Sequence, residues 1–562
     1  MKTKFMHIIA ALCLVLGLGS CNLDYFPDDE LNSNVLLQDA KGGEYIMDGC
    51  YALLKDEVEF LGYASGNTYV RHYMQMTEFP ADNTCLSSHT TDPLYEATAY
   101  MMTDNLKNVG TLWMIAYKVI FMTNTVIENM GTDDSDKRQI LGEAYFMRAL
   151  MHLHMVTLYA KPYSHGRENL GVPLHINTTD GTTKRNTVGE CYDQIVKDLQ
   201  MAADLLEGSR GNAGYPSKDA ALGILSRVYL YMEDYDNCIK TVDQMLAGAD
   251  PSSKIMSTAD FATYFANTKT AKETLFCIAH EITDDTGQSS AGSMYYRDEI
   301  GKIGWGEIYP SVPLQYLYDR YPTDIRATSL FEPRILDESE EFIWFPDPET
   351  PNDQSGRMNL KFKVTKSGET YSFKDEDGTT YNVEKRTVNG EYFEYHVKYK
   401  GEDCVARITP KMEERNTHPK VYIKKLSFQD GNPMLCSPVM CRWGEVILNA
   451  AEAYARSGND TKALEYVNII RTRAGIPEEG LFAAGKMHGY SSVADVVMDE
   501  RRLELAFEGH RMFDVYRNKQ NMDRRYPGAQ PWKIVEYTEP HIQYPIPNNE
   551  WTTSGIPQNP GY

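Results

Sequence analysis

A mostly α fold is predicted: a tetratricopeptide-like scaffold of helical hairpins, interrupted by an irregular α+β subdomain that carries a small β-meander. Three observations predict it. Apolar residues recur at helical spacing from Trp443 to Ile470, broken once by Ser457-Gly458-Asn459-Asp460. Ile224–Met245 can be laid over Asn449–Ile470, so that Tyr229 matches Tyr454, Cys238 matches Ala463, Ile239 matches Leu464 and Val242 matches Val467. Between those hairpins, residues 250–435 are rich in Gly, Pro and Tyr and lose the helical period.

In chain order, residues 1–20 have the form of a signal peptide. Lys2 and Lys4 precede a short apolar run, Ile8 to Leu18, too short to span a membrane as a stable anchor. The run ends Leu18-Gly19-Ser20-Cys21, one bulky residue, two small ones and a cysteine: a bacterial lipobox. Processing would leave Cys21 N-terminal and lipidated, and several acyl chains, at about 0.8 kcal/mol per buried CH₂, anchor stably. Residues 21–34 then form a polar, acidic, lipidated tether.

Residues 35–250 make the first part of the scaffold. Helices are expected over 35–60, 105–160 and 187–247. Thr111, Leu112, Trp113, Ala116, Tyr117 and Ile120 form one stripe. His152 and His154 stand at i and i+2, which face apart on a helix, so a shared metal ion is not expected. Between the first two helical regions, residues 61–104 read as an irregular loop. Its Arg71, Tyr73, Asp82, Asn83 and Tyr95 mix aromatic, amide, cationic and acidic groups, and a loop of that length in a compact domain is usually functional or disordered.

Residues 251–435 make the inserted subdomain. Met294-Tyr295-Tyr296 and Gly304-Trp305-Gly306-Glu307-Ile308-Tyr309 are its sharpest features. Trp305 lacks bulky neighbours and can present its face to a ligand, or plug a local core. Near 358–410, Leu360, Phe362 and Val364 alternate with lysines, Phe393, Tyr395, Val397 and Tyr399 alternate with charges, and Asn389-Gly390 punctuates: a β-meander. Trp344 reads as core. Residues 436–562 complete the scaffold. Trp443, Val446, Ile447, Ala450, Ala451 and Tyr454 form the apolar stripe, with Arg442, Glu445, Asn449, Glu452 and Arg456 opposite. Gly475 supplies a left-handed cap and Pro477 the stop. A helix is then expected from Ser491 to Asn518. In it Glu500, Glu504 and Glu508, interleaved with arginines, suggest paired catalytic carboxylates or, more simply, an ion-pair network. A proline-rich tail packs along the body.

The formal net charge is −23 over 562 residues, which disfavours nucleic-acid binding, because that affinity rests on neutralising phosphates. Ten cysteines include no Cys-x-x-Cys pair, so no zinc or redox motif is expected and the thiols should be free and buried. There is no Gly-rich phosphate loop, Gly-x-Ser-x-Gly or His-Glu-x-x-His. No catalytic residue, metal ligand or cofactor is predicted. The 38 tyrosines suit stacking on sugars or peptides, or a tyrosine-rich helical core.

Four strings occur together and in order: Arg442-Trp443-x-Glu445 opening an alanine-rich hairpin; Asn468-x-x-Arg471-x-Arg473-Ala474-Gly475; the helix from Glu500-Arg501 to Arg517; and terminal Gln558-Asn559-Pro560-Gly561-Tyr562. With the lipobox, that combination resembles the SusD/RagB family, nutrient-binding lipoproteins of glycan-uptake systems in Bacteroidetes-type bacteria. It covers nearly the whole chain except about 355–415. The resemblance implies a non-enzymatic binder that holds an oligosaccharide at the cell surface and delivers it to a TonB-dependent, SusC-like outer-membrane transporter. It also implies an outer-membrane location through the lipid anchor. A peptide-binding member of such systems, or a structural or adhesion lipoprotein, are the alternatives. The ligand-binding candidates are Arg71, Tyr73, Asp82, Asn83, Tyr95, Tyr296, Trp305 and Tyr309.

Overall fold

The computed structural model describes residues 40–562 apart from 63, 89–92, 133, 351–357 and 389–391. The signal segment, Cys21 and the tether lie outside the described residues. Helix predominates over strand.

Eleven helices build and border the scaffold: α1 (Ala40–Leu53), α2 (Tyr69–Glu78), α3 (Lys107–Asn129), α4 (Ser135–Tyr159), α5 (Val188–Leu205), α6 (Lys218–Tyr231), α7 (Tyr235–Leu246), α8 (Trp443–Arg456), α9 (Asp460–Arg473), α10 (Val493–Glu504) and α11 (Arg511–Arg517). Their starts are chemically marked. Asp134, Ser217 and Ser492 accept a backbone N–H of the first turn, and Thr187 with Glu190 forms a reciprocal capping box. Helix α3 alone among the described residues is long and apolar enough to cross a membrane, yet Trp113, Ile115, Ala116, Val119 and Ile120 are buried in the protein core.

The α6–α7 and α8–α9 hairpins share one turn. All four helices begin at the same constant offset in numbering, Lys218 with Trp443 and Tyr235 with Asp460. Glu233 (φ 61°) and Gly458 (φ 80°) take the left-handed position, and the residues after them, Asp234 and Asn459, cap the second helix. Though far apart in sequence, the two hairpins touch in space. Arg227 Nε and Nη2 reach the Glu445 carboxylate at 2.6 Å, and Asn449 Nδ2 donates to Ser226 Oγ at 3.1 Å. Helix α9 ends as expected: Gly475 has φ 81°, its N–H donates to the Thr472 carbonyl and that of Ile476 to the Arg471 carbonyl, the paired bonds of a Schellman cap.

The insertion is nested. Thr274–Cys277 pairs antiparallel with Val439–Arg442, so the chain leaves the scaffold and returns at one two-stranded stem. Inside that excursion, Phe331–Pro333 pairs with Val421–Ile423 as a second stem. Beyond it stand six strands: β1 (Ile335–Pro346), β2 (Asn359–Ser367), β3 (Thr370–Lys374), β4 (Thr380–Val388), β5 (Tyr392–Tyr399) and β6 (Glu402–Met412). They close into a barrel in which β6 pairs with both β5 and β1. The expected meander is therefore a closed barrel that begins at Ile335. Closure removes the edges a meander would expose. Ile343, Phe345, Phe373, Val397 and Cys404 fill its interior, and Trp344 points the other way, buried, with Nε1 on Thr409 Oγ1 at 2.7 Å.

One further expectation is corrected. The helix expected over Ser491–Asn518 breaks after Glu504. Phe507 (φ 64°) and Gly509 (φ 80°) are left-handed, and the Gly509 N–H donates to Glu78 Oε1 at 2.7 Å. The polar face of α8 is buried as well: Arg442, Glu445, Asn449 and Glu452 have almost no exposed surface. Arg442 joins the ion-pair network expected around Glu504 and Glu508, while Glu445 pairs with Arg227, Asn449 accepts from Arg501, and Glu452 pairs with Arg517. The tail packs on the body through Asn559, whose Nδ2 donates to the Tyr159 and Tyr544 carbonyls at 2.8 and 2.7 Å. All eight described cysteines are free and buried.

Candidate functional site

Of the eight candidate residues, Trp305 is the one the fold presents, with 45% of its surface exposed. Its flanking glycines explain why. Gly304 has φ 91° and Gly306 φ 53°, a region other residues rarely adopt. A Cβ on Gly304 would stand 2.3 Å from the Tyr296 carbonyl oxygen, and one on Gly306 2.7 Å from the Tyr422 ring. The loop is thus pressed onto an aromatic floor, and the indole turns outward. The Trp305 and Gly306 N–H groups both donate to the Ser293 carbonyl, at 2.6 and 3.0 Å.

Tyr296 and Tyr309 form that floor rather than the contact surface. Both are buried, clustered with Cys85, Tyr422, Met434 and Tyr526. The Tyr296 ring lies 5.5 Å from Tyr422 and 4.9 Å from Phe428, edge to face. Burial, with Glu332 and Asp298 nearby, pushes the Tyr296 phenol up to about 12.

Around Trp305 the rim is polar. Its Nε1 donates to the Gln288 carbonyl at 3.2 Å. Next in the chain, Ser289 Oγ lies 3.4 Å from Ser65 Oγ, and Arg71 Nη1 donates to the Gly66 carbonyl at 3.0 Å. Half-buried Arg71 therefore joins Trp305 through two short turns. On the other side, Arg415 Nη1 donates to the Trp305 carbonyl at 3.0 Å and its other terminal nitrogen pairs with Glu307. Arg297 Nη1 donates to the Gly304 carbonyl at 3.2 Å. Beyond lies the turn Asp298–Ile303, with Ile300 almost fully exposed.

The other candidates go elsewhere. The 61–104 stretch is not an irregular loop: Thr68 caps α2, and nearly every residue of that helix is buried. Tyr73 stacks on His154 at 3.9 Å, and burial, with Glu445 and Glu78 nearby, pushes its phenol up to about 12. Asp82 is clamped by Arg511 at 2.7 and 2.9 Å and faces Arg502 at 3.3 Å. Burial alone would raise Asp82, but the two guanidiniums outweigh it and hold the carboxyl well below its ordinary range. Asn83 is buried and accepts from Arg502 Nε, and Tyr95 is buried. These four are buried and present no face beside Trp305. His152 and His154 are both buried, and His154 Nδ1 lies 2.8 Å from the Tyr69 hydroxyl.

Gln288 and Arg415 carry no sequence signal of their own. Only the Asn416-Thr417 turn after a strand marks Arg415 as fixed. The site offers an exposed indole face, hydroxyls, carbonyls and three arginines. Among the described residues no group of acidic, histidine or cysteine side chains is arranged to hold a metal ion.

The chain matches two families of known proteins, one described as starch-binding and associating with the outer membrane, over residues 43–230, and one described as the SusD family, over 272–562. SusD-like protein P2 of Formosa agariphila is 24% identical over 493 residues, 83% of each chain. Among solved structures, a SusD superfamily protein from Bacteroides thetaiotaomicron superposes with a TM-score of 0.70 at 21% identity, covering 93% of this chain and 99% of the other. A SusD-like carbohydrate binding protein from Bacteroides vulgatus gives 0.65 at 17%, covering 92% and 97%. The chain belongs to the SusD family.

Proposed function

We propose that this protein is a non-enzymatic, lipid-anchored outer-membrane receptor. It holds an oligosaccharide on the Trp305 face and delivers it to a TonB-dependent, SusC-like transporter. The observation that carries the reading is the exposed indole, held outward between two glycines at positions where the floor leaves no room for a side chain. A flat aromatic face matches the C–H face of a pyranose, while Gln288, Ser289 and Arg71 supply groups for hydroxyls at its edge. Family membership and the likeness to a SusD-like carbohydrate binding protein support a sugar over a peptide. The lipobox at Leu18–Cys21 supports the anchor.

The test is an array of neutral and acidic oligosaccharides probed with the soluble chain from residue 22 onward, followed by calorimetry on whatever binds. Trp305→Ala should weaken that binding about tenfold or more, with little change in melting temperature. Unchanged affinity with lost stability would make Trp305 a structural plug. Bond cleavage in the bound glycan would make the protein an enzyme. For the anchor, Cys21→Ala in the full chain should shift the protein to the soluble fraction, and partition into detergent like wild type would refute lipidation.

A further inference from the structure

The barrel is absent from the four strings that carry the family resemblance, yet its exit reaches the Trp305 site. Strand β6 ends at Met412, and three residues later Arg415 reaches the Trp305 loop. The connection is a tight hairpin in which Glu414 pairs with Pro419 and Arg415 with His418. The two turn residues, Asn416 (φ 47°) and Thr417 (φ 66°), are both left-handed. A two-residue turn of that hand normally takes Asn-Gly. A β-branched threonine there is strained and persists only where its surroundings over-determine it.

Those surroundings come from the barrel. The Asn359 N–H, at the first residue of β2, donates to Thr417 Oγ1 at 2.9 Å, and Asn359 Nδ2 lies 2.9 Å from His418 Nδ1. Lys361, two residues further along β2, pairs with Glu414. The hairpin is therefore fastened to the barrel wall on one side and holds the Trp305 loop on the other. Arg415 spends its guanidinium on that loop alone: one nitrogen on the Trp305 carbonyl, the other on Glu307, two residues along. Such a fork fixes a peptide plane and a neighbouring side chain together, which a single ammonium cannot do.

We propose that the barrel insertion is a working part of the Trp305 site, and that Arg415 is its positioning residue, setting the outward pose of the indole. This deepens the reading of Trp305 as a sugar platform and rests on it.

Three measurements test it, two of them without a sugar. In Arg415→Ala, hydrogen exchange of peptides covering residues 298–308 should quicken about tenfold, while α8 and α9 keep wild-type protection. Acrylamide quenching, with Trp305→Phe subtracted to isolate this indole, should change in the same variant. Arg415→Lys should restore neither, because it cannot hold both partners. The third is a double-mutant cycle on an array glycan whose affinity Trp305→Ala lowers. Arg415→Ala should cost about tenfold alone and nothing further in the Trp305→Ala background. Unchanged exchange and quenching in Arg415→Ala overturns the positioning role even if no glycan is found. Additive losses in the cycle would mean that Arg415 contacts sugar independently. If Arg415→Ala fails to fold, Glu307→Gln, which removes one arm of the fork, should give a smaller rise in exchange over the same peptides, and no rise overturns the proposal.

Discussion

Arg442 and Glu508 meet fork to fork: Nε and Nη2 of the arginine donate to the two carboxylate oxygens, each at 2.8 Å, with both side chains buried. The third nitrogen, Nη1, reaches Glu273 at 2.9 Å and Glu504 at 2.5 Å. Around this pair Arg326, Arg471, Arg473 and Lys425 face Asp324, Glu273, Glu500, Glu504 and Glu508, so five cations balance five anions. Arg326 and Lys425 come from the insertion, Arg471 and Arg473 from α9, and Glu500 and Glu504 from α10. The family-like strings are charged because they bolt the insertion to the scaffold.

Breaking a buried pair leaves an uncompensated charge, at about 3–5 kcal/mol. Arg442→Ala should cost at least that in denaturant unfolding. Arg456→Ala, at the exposed end of the same helix, should stay within about 0.5 kcal/mol. Equal effects would show that the network does not hold the fold.

Glu78 predicts a pH dependence of the opposite kind from its neighbours. Burial, reinforced by Glu508 and Asp82 and opposed by the Gly509 N–H and Lys425, pushes its carboxyl up to about 8. Its folded value is above the unfolded one, so its contribution is complete below about pH 4.5 and is lost as pH rises through 8. Glu508, held down to about 2 by Arg442 and Lys425 against the effect of burial, contributes above about 4.5 and loses that as pH falls towards 2. Glu78→Gln keeps an acceptor for Gly509. The melting temperature of Glu78→Gln minus that of wild type should therefore grow between about pH 5 and about pH 8.5. A difference that is flat across that window would mean that Glu78 does not titrate there.

The hairpins were legible because their constraint is local: a turn with one left-handed residue and an Asp or Asn cap looks the same at 233–234 and 458–459. Trp305 was legible for the same reason, since two glycines announce a backbone that only glycine tolerates. Tyr73 and Tyr95 misled. Helix α2 is buried at every position except Arg71, polar residues included, so nothing in its local pattern separates packed aromatics from exposed ones, and its aromatics pass for loop contacts. The barrel's first strand was hidden because Asp337 to Glu341 is charged and mostly exposed, while closure depends on pairing with residues some seventy positions away, such as Thr409 with Phe342. The break after Glu504 depends on Glu78, which no local pattern places there.

The nested stems predict that the barrel can be removed. Arg334 and Glu413 are already joined by a backbone hydrogen bond at 2.8 Å, so an Asn-Gly turn linking them can replace residues 335–412. The excised protein should retain its helical circular dichroism and melt cooperatively. Loss of cooperative melting would make the barrel part of the scaffold core, through contacts such as that of Tyr316 with the Ala406 carbonyl. A folded product should nevertheless bind array glycans about as weakly as Arg415→Ala, because Asn359 and Lys361 no longer brace the hairpin.

Gly304 separates the loop's shape from the indole itself. Gly304→Ala keeps Trp305 but puts a methyl group 2.3 Å from the Tyr296 carbonyl and 2.9 Å from the Met434 methyl, at φ 91°. Backbone strain at such a position costs about 1–3 kcal/mol, and the collision with a fixed carbonyl adds to it, so the loop must lift from its floor. Gly378→Ala is the control. It shares a positive φ, 81°, in a barrel turn with nothing within 4 Å of the new methyl, and so carries strain without collision. Both variants should lower the melting temperature slightly. Only Gly304→Ala should lower glycan affinity, and by about as much as Trp305→Ala, because stacking needs the ring in place as well as present. Wild-type affinity in Gly304→Ala, beside a loss in Trp305→Ala, would show that the indole binds from a flexible loop and that the aromatic floor has no part in recognition.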